Sequence, residues 1–206
     1  MTVDHLVYAG PNLTQAIERV EQLVGVTPTP GGPHPGRGTR NALLALGPAT
    51  YIEIIGPDPD QEEPELPRPF GIDALDAPTL VTWAAPERDL TRRVQAAAAR
   101  GVTLGLIGEG SRKRPDGTLL RWRYTDPRTV IADGLVPFFI DWGTTPHPAA
   151  TAARGGALID LRAEHPRPDA VRETLEQLDL TIAVTAGIAP ALIATIDSSR
   201  GRISLR

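Results

Sequence analysis

Glu53 stands between Ile52 and Ile54 in YIEIIG (residues 51–56), a stretch that otherwise reads as a buried strand. Strand alternation puts Tyr51, Glu53 and Ile55 on one face and Ile52 and Ile54 on the other. A lone buried carboxylate costs several kcal/mol unless it is neutralised, paired or bound to a metal. A second polar intruder, His5, lies in VDHLVYA (3–9), where His5 and Val7 share one face while Leu6 and Tyr8 share the other. If Ile52, Ile54, Leu6 and Tyr8 pack beneath one helix, His5 and Glu53 both point to the opposite side of the sheet. They could hydrogen-bond each other in a polar cleft, or hold a ligand between them.

Other side chains suit chemistry less specifically. His34 sits between two prolines in PGGPHPGRGTRNALL (30–44). It reads either as an exposed turn histidine or as an acid/base or substrate contact overhanging the site. Asn41, polar within an apolar strand, could bond a ligand or satisfy a neighbouring strand. In RWRY (121–124), Arg121 and Arg123 facing inward would bind an anion, whereas Trp122 facing inward would supply a stacking wall. Alternation forbids both, and the register of the first strands favours Trp122 on the side of Asn41. The basic run SRKRPDG (111–117) reads as a solvated hairpin turn. His147 reads as a turn residue, and Phe70 as a residue of the core or a cap over the site.

Three amphipathic helices must position these groups. NLTQAIERVEQLVG carries a stripe from Leu13 to Val24, capped by Asn12 with Gln15 behind it and ended by Gly25. DLTRRVQAAAARG runs from Asp89 to Gly101, and PDAVRETLEQLDL starts at Pro168. Each follows a short strand and precedes further strands. The repeats start near residues 3, 79 and 157, a period of 76 to 78 residues. Aligning the first two repeats sets YIEIIG against FFIDWG, which matches Glu53 with Asp141. The fold class expected is α+β, built from βαβββ modules at 3–57 and 79–143, joined by the proline- and acid-rich segment 57–78. A third such module spans 156–206, after a linker at 144–156.

Composition bounds the function. With 206 residues, net charge −4 and no cysteine, the chain has no global basicity for nucleic acid and no disulfide or thiol chemistry. It shows no leader peptide and no membrane-length apolar run, so a soluble cytoplasmic protein is expected.

The His-bearing strand and helix DHLVYAGPNLTQAIERVEQLVGV, with HPGRGTRNALLALG and the Glu-bearing YIEIIGPDP, resemble the vicinal oxygen chelate superfamily. That superfamily includes glyoxalase I, extradiol dioxygenases and bleomycin resistance proteins; the closer likeness is to its glyoxalase-like domain branch. The resemblance implies two modules curling into a half-open barrel with helices outside and a small-molecule site inside. It implies metal ligands on the first and last strand of each module. By position these are His5 and Glu53, with Asp141 in the second module and no ligand at residues 80–82. One divalent ion (Zn, Fe, Mn or Ni) is the cofactor so implied. The expected function is metal-dependent lyase, isomerase or dioxygenase chemistry on a small metabolite, with Glu53 and His34 as catalytic groups and Asn41, Trp122, Arg121 and Asp141 as substrate contacts. The alternatives are a metal-free sequestering protein of the resistance type, and a homodimer whose third module supplies the interface.

Overall fold

The computed structural model describes residues 2–113 and 117–206. The centre of the expected basic turn at 111–117 therefore lies outside the described residues. Asn12 caps the first helix, its Oδ1 accepting the Gln15 N–H at 3.1 Å, and Gly25 closes the helix in the left-handed region at φ 82°. Asp89 accepts the Arg92 N–H at 3.0 Å to start the second helix, and Pro168 occupies the first turn of the third.

The first repeat contributes β1 (His5–Ala9), α1 (Leu13–Val24), β2 (Thr29–His34), β3 (Thr39–Gly47) and β4 (Thr50–Pro57). The second contributes β5 (Thr79–Pro86), α2 (Leu90–Ala99), β6 (Ile107–Lys113), β7 (Leu119–Thr125) and β8 (Phe138–Asp141). These eight strands form one curved sheet in the order β2-β3-β4-β1-β5-β8-β7-β6, and β9 (Ala153–Arg154) adds to β3. In both repeats the fourth strand lies parallel beside the first, and the repeats join through the antiparallel pair β1–β5. The two ends of the sheet nearly meet: a Cβ at Gly31 of β2 would come within 2.7 Å of Arg112 Nη1 on β6. The α+β barrel anticipated from the repeats is the fold.

β2 is a strand that the sequence hides. TPGGPH reads as a turn, yet it pairs antiparallel with β3, with a bulge between Pro30 and Gly32. Its position at the end of the sheet makes this possible, because proline on an outermost strand withholds no ladder donor.

The third repeat forms β10 (Ala157–His165), α3 (Pro168–Gln177), β11 (Ala183–Ala186), β12 (Ala191–Ser198) and β13 (Gly201–Leu205). Its element order matches the first two, but its strands pair as β11-β10-β12-β13. The difference lies in the crossover. Parallel neighbours need a crossover connection; here α3 alone spans β10 to β11, whereas in the first repeat α1, β2 and β3 together separate β1 from β4. Leu161, Ala163, Leu192, Ala194 and Ile196 on this sheet belong to the same buried cluster as Leu6, Ile52 and Ile54 from the convex face of the barrel. The small sheet therefore covers the helix-bearing side, leaving the concave side for ligands. Among the described residues no helix is long and apolar enough to cross a membrane.

Candidate functional site

The concave face receives His5 from β1, Tyr51, Glu53 and Ile55 from β4, and Asn41 from β3, because register sets His5 opposite Tyr51 and Asn41 opposite Ile55. Across the barrel it receives Trp122 and Tyr124 from β7 and Phe138 and Ile140 from β8. Together they enclose a cavity of about 60 Å³. At about 30 Å³ per water, that is room for about two waters. A larger groove of about 670 Å³ begins behind the same Phe70, Pro127 and Phe138. The buried acid and the imidazoles face the smaller cavity, so that is where chemistry belongs.

Glu53 is held on one side only. Asn41 Nδ2 donates to its Oε1 at 2.6 Å, while Oε2 stands 3.8 Å from His5 Nε2. The second amide hydrogen of Asn41 goes to His34 Nε2 at 3.2 Å. His34 therefore carries its proton on Nδ1, which donates to Thr39 Oγ1 at 3.0 Å. Burial pushes the His34 imidazole down to about 4, outweighing the nearby Glu53 charge, with Arg112 and Arg37 adding to the depression. It is a neutral ring. Gly31 is required beside this network, since a Cβ there would lie 2.0 Å from Asn41 Oδ1. That oxygen is buried without a hydrogen-bond partner among the described residues.

His5 is oriented from behind. Its Nδ1–H donates to Asp4 Oδ1 at 2.7 Å, and its ring stacks on Tyr51 at 4.7 Å between centroids, with Phe138 edge-on at 5.5 Å. Asp4 also accepts Trp142 Nε1–H at 3.1 Å and His147 Nε2–H at 3.3 Å. Burial alone would raise the Asp4 carboxyl, but the hydrogen bonds from His147 and His5, with their charge, hold it down at about 2. An ionised Asp4 fixes the His5 tautomer and leaves Nε2 free to face the cavity.

This donor chemistry fits a divalent first-row ion, because metal-binding histidines characteristically give their other N–H to a carboxylate. Among the described residues no group of three or more His, Cys, Asp or Glu side chains is arranged to hold a metal. The fit is thus to two protein donors, His5 Nε2 and Glu53, and not to four.

A family model for the glyoxalase-like domain matches residues 3–178. The chain belongs to the glyoxalase-like domain family. No curated protein matches the sequence. Among solved structures, a hypothetical protein from Staphylococcus aureus aligns over 96% of this chain and 92% of its own, with 11% identity and TM-score 0.70. That likeness is one of fold. Methylmalonyl-CoA epimerases align more loosely. The Mycobacterium tuberculosis protein covers 68% of this chain and 87% of its own at 21% identity and TM-score 0.45. A Streptomyces coelicolor variant covers 72% and 99% at 15% identity and TM-score 0.47.

In this glyoxalase-like domain, six residues singled out in the sequence meet at the cavity: His5, His34, Asn41, Glu53, Phe70 and Trp122. His34 does so from a strand and is buried at 7% exposure, which corrects its reading as a residue of a constrained loop. Arg121 and Asp141 do not join them. Alternation on β7 and β8 turns Trp122 and Ile140 inward and sends Arg121 and Asp141 to the outer surface, where Asp141 Oδ1 accepts the Gly143 N–H at 2.8 Å. The match of Asp141 to Glu53 fails by one residue of register, which is enough to reverse the face.

Sequence reasoning missed Asp4, Arg37, Tyr51 and Trp142, and it took His147 for a turn residue. His147 does cap the turn at Pro148–Ala150, but its other nitrogen serves Asp4. The signal available for Asp4 was its place just before β1, where the chain is free to fold a carboxylate back onto its neighbour's ring. Phe70 lines the cavity 5.8 Å from Phe138, and its φ of 63° is unusual for a bulky side chain. A clip holds it there: Arg68 binds Glu63 at 2.8 Å, Asp73 at 2.7 Å and the Gly38 carbonyl at 3.0 Å.

Proposed function

We propose that this protein binds a small carbonyl compound in the barrel cavity and that Glu53 moves a proton on the carbon next to the carbonyl, the chemistry of an isomerase or lyase. The observation that supports this reading is the asymmetric state of Glu53. One oxygen is anchored by Asn41 at 2.6 Å, and the other is unspent and 3.8 Å from an imidazole nitrogen. A base needs one fixed and one available oxygen, in reach of the proton and shielded from water. Glu53 Oε2 takes the proton. His5 Nε2, aimed by Asp4, offers its lone pair to a hydroxyl hydrogen of the substrate, and the rings of Trp122, Tyr124 and Phe138 exclude water and press the substrate flat. A divalent ion held by His5 and Glu53 would polarise the carbonyl oxygen as a Lewis acid.

The test is solvent deuterium exchange. Three- and four-carbon 2-oxo and 2-hydroxy carbonyl compounds are incubated with protein in D₂O, with and without chelator, and loss of the C–H signal is followed by NMR. Wild type accelerates exchange of at least one compound and Glu53→Gln does not. If the folded wild-type protein exchanges none of them, the enzymatic reading is wrong. The aromatic wall supports a second reading, a metal-free sequestering protein, which would bind such compounds without exchanging them. Elemental analysis of protein purified without chelator decides the metal.

A further inference from the structure

We infer that the ligand of this cavity carries a carboxylate or comparable anionic group beside its carbonyl, and that Arg37 binds it; this rests on the proton-transfer reading above. Arg37 lies in the turn between β2 and β3, flanked by Gly36 and Gly38 in the left-handed region at φ 70° and 59°. The turn is tied by the Arg37 N–H to the His34 carbonyl at 3.1 Å. From there the side chain leans across the barrel and sets its guanidinium 5.0 Å from the centre of the Tyr124 ring. It lines the cavity with Glu53 and His5.

What sets Arg37 apart is how little of it is satisfied. A guanidinium has five N–H donors. Among the described residues Arg37 makes one side-chain hydrogen bond, a 3.5 Å contact to the Glu109 carbonyl, and no ion pair. Neighbouring arginines of the same surface are paired: Arg40 with Asp60 at 3.3 Å, Arg68 with Asp73 at 2.7 Å, Arg128 with Asp126 at 3.9 Å. Burial pushes the Arg37 guanidinium down from its ordinary range, with Arg128 adding to the effect and the charges of Asp126 and Glu53 opposing it. A half-buried cation fixed on an aromatic face, with Asp126 and Glu53 near enough to feel but no carboxylate in ion-pair contact among the described residues, is completed by an anion arriving with the ligand. The cavity of about 60 Å³ suits a small ligand or the small reacting end of a larger one. Small 2-oxo acids carry the acid one bond from the carbonyl.

The experiment compares pyruvate with pyruvamide, its neutral isostere, by calorimetry and by quenching of tryptophan fluorescence. Pyruvate should bind wild type at least about tenfold more tightly than pyruvamide, since hydrogen bonds to a charged group are roughly twice as strong as neutral ones. Arg37→Gln should lower pyruvate affinity about ten- to a hundredfold and leave pyruvamide unchanged. Arg37→Lys should retain part of the preference, and Arg123→Gln, on the outer face, all of it. Equal binding of the pair, an equal loss of both in Arg37→Gln, or binding of neither overturns the inference. Preferential, Arg37-dependent binding of pyruvate without any deuterium exchange supports the anion site while removing the proton-transfer reading.

Discussion

The two halves of the cavity come from repeats of the same connectivity and do opposite things. The half built from β1 to β4 presents Glu53, Asn41 and His34, linked by hydrogen bonds, with His5 3.8 Å from Glu53. The half built from β5 to β8 presents mainly rings and apolar side chains, Trp122, Tyr124, Phe138 and Ile140, with the buried Arg112 of β6 as the one charge among its described residues at the cavity wall. Thr82 and Ala84 on β5 face His5 and Val7 across the junction, so the second repeat answers an imidazole with a methyl group. Duplication supplies two concave half-sheets, but polar machinery in a buried place needs support at every atom. The first repeat has that support, from Asn41 beneath Glu53 and Asp4 behind His5. The second repeat supplies mainly shape, through its rings, one of which, Tyr124, donates its hydroxyl to the Glu109 carbonyl at 3.3 Å.

The sharpest way to break this contrast is Glu53→Gln. Deuterium exchange should fall by about 10²- to 10⁴-fold, whereas Trp122→Phe should alter binding far more than exchange. A comparable loss from both substitutions would mean that the halves do not divide the work.

Acid should strike the polar half first. His34 is depressed to about 4 from an ordinary 6.5, so as pH falls the unfolded chain takes up its proton before the folded one. The stability owed to neutral His34 is complete above pH 6.5 and is lost as pH falls to about 4, at a cost of about 3 kcal/mol. Asp4, held at about 2 against an ordinary 3.8, contributes stability present above pH 3.8 and lost as pH falls towards 2. That second step is worth about 2 kcal/mol. Urea unfolding at a series of pH values should resolve both, and His34→Gln should flatten the first alone. A flat profile from pH 7 to 4 in wild type would contradict the buried neutral imidazole.

Trp142→Phe tests the one ring of the aromatic half that also serves the polar half. It keeps an aromatic ring but removes the N–H that Asp4 accepts at 3.1 Å. Stability should fall by about 1 kcal/mol, since His5 and His147 remain as donors, and the titration of Asp4 should move upward. The smallest effects belong to Arg121→Gln and Asp141→Asn. Both residues lie outside the cavity, so stability should change by no more than about 0.5 kcal/mol, with ligand binding unaltered.

The repeat pattern, the helix caps and the shared face of His5 and Glu53 are legible because each depends on local periodicity or on residues a few positions apart. The register of β8 is not. YIEIIG and FFIDWG look alike as strings, but facing is decided by pairing with β5 and β7, and a slip of one residue exchanges Asp141 for Ile140. β2 is hidden for a related reason: its prolines and glycines signal a turn, and only its place at the end of the sheet permits a strand. The pairing in the third repeat escapes the sequence because the same order of elements is compatible with two ways of crossing over.

Asp4 has a consequence for how the protein comes into being. Its neighbour His5 is adjacent in sequence, but its other two donors, Trp142 and His147, lie 138 and 143 residues away. Contacts of such long span are closed late, because the entropy of the intervening loop opposes them until the strands between have paired. The hydrogen bonds that hold the Asp4 carboxylate behind His5 are therefore completed only when the end of the second repeat docks, so the orientation of a residue on the first strand waits on the last strand of the barrel.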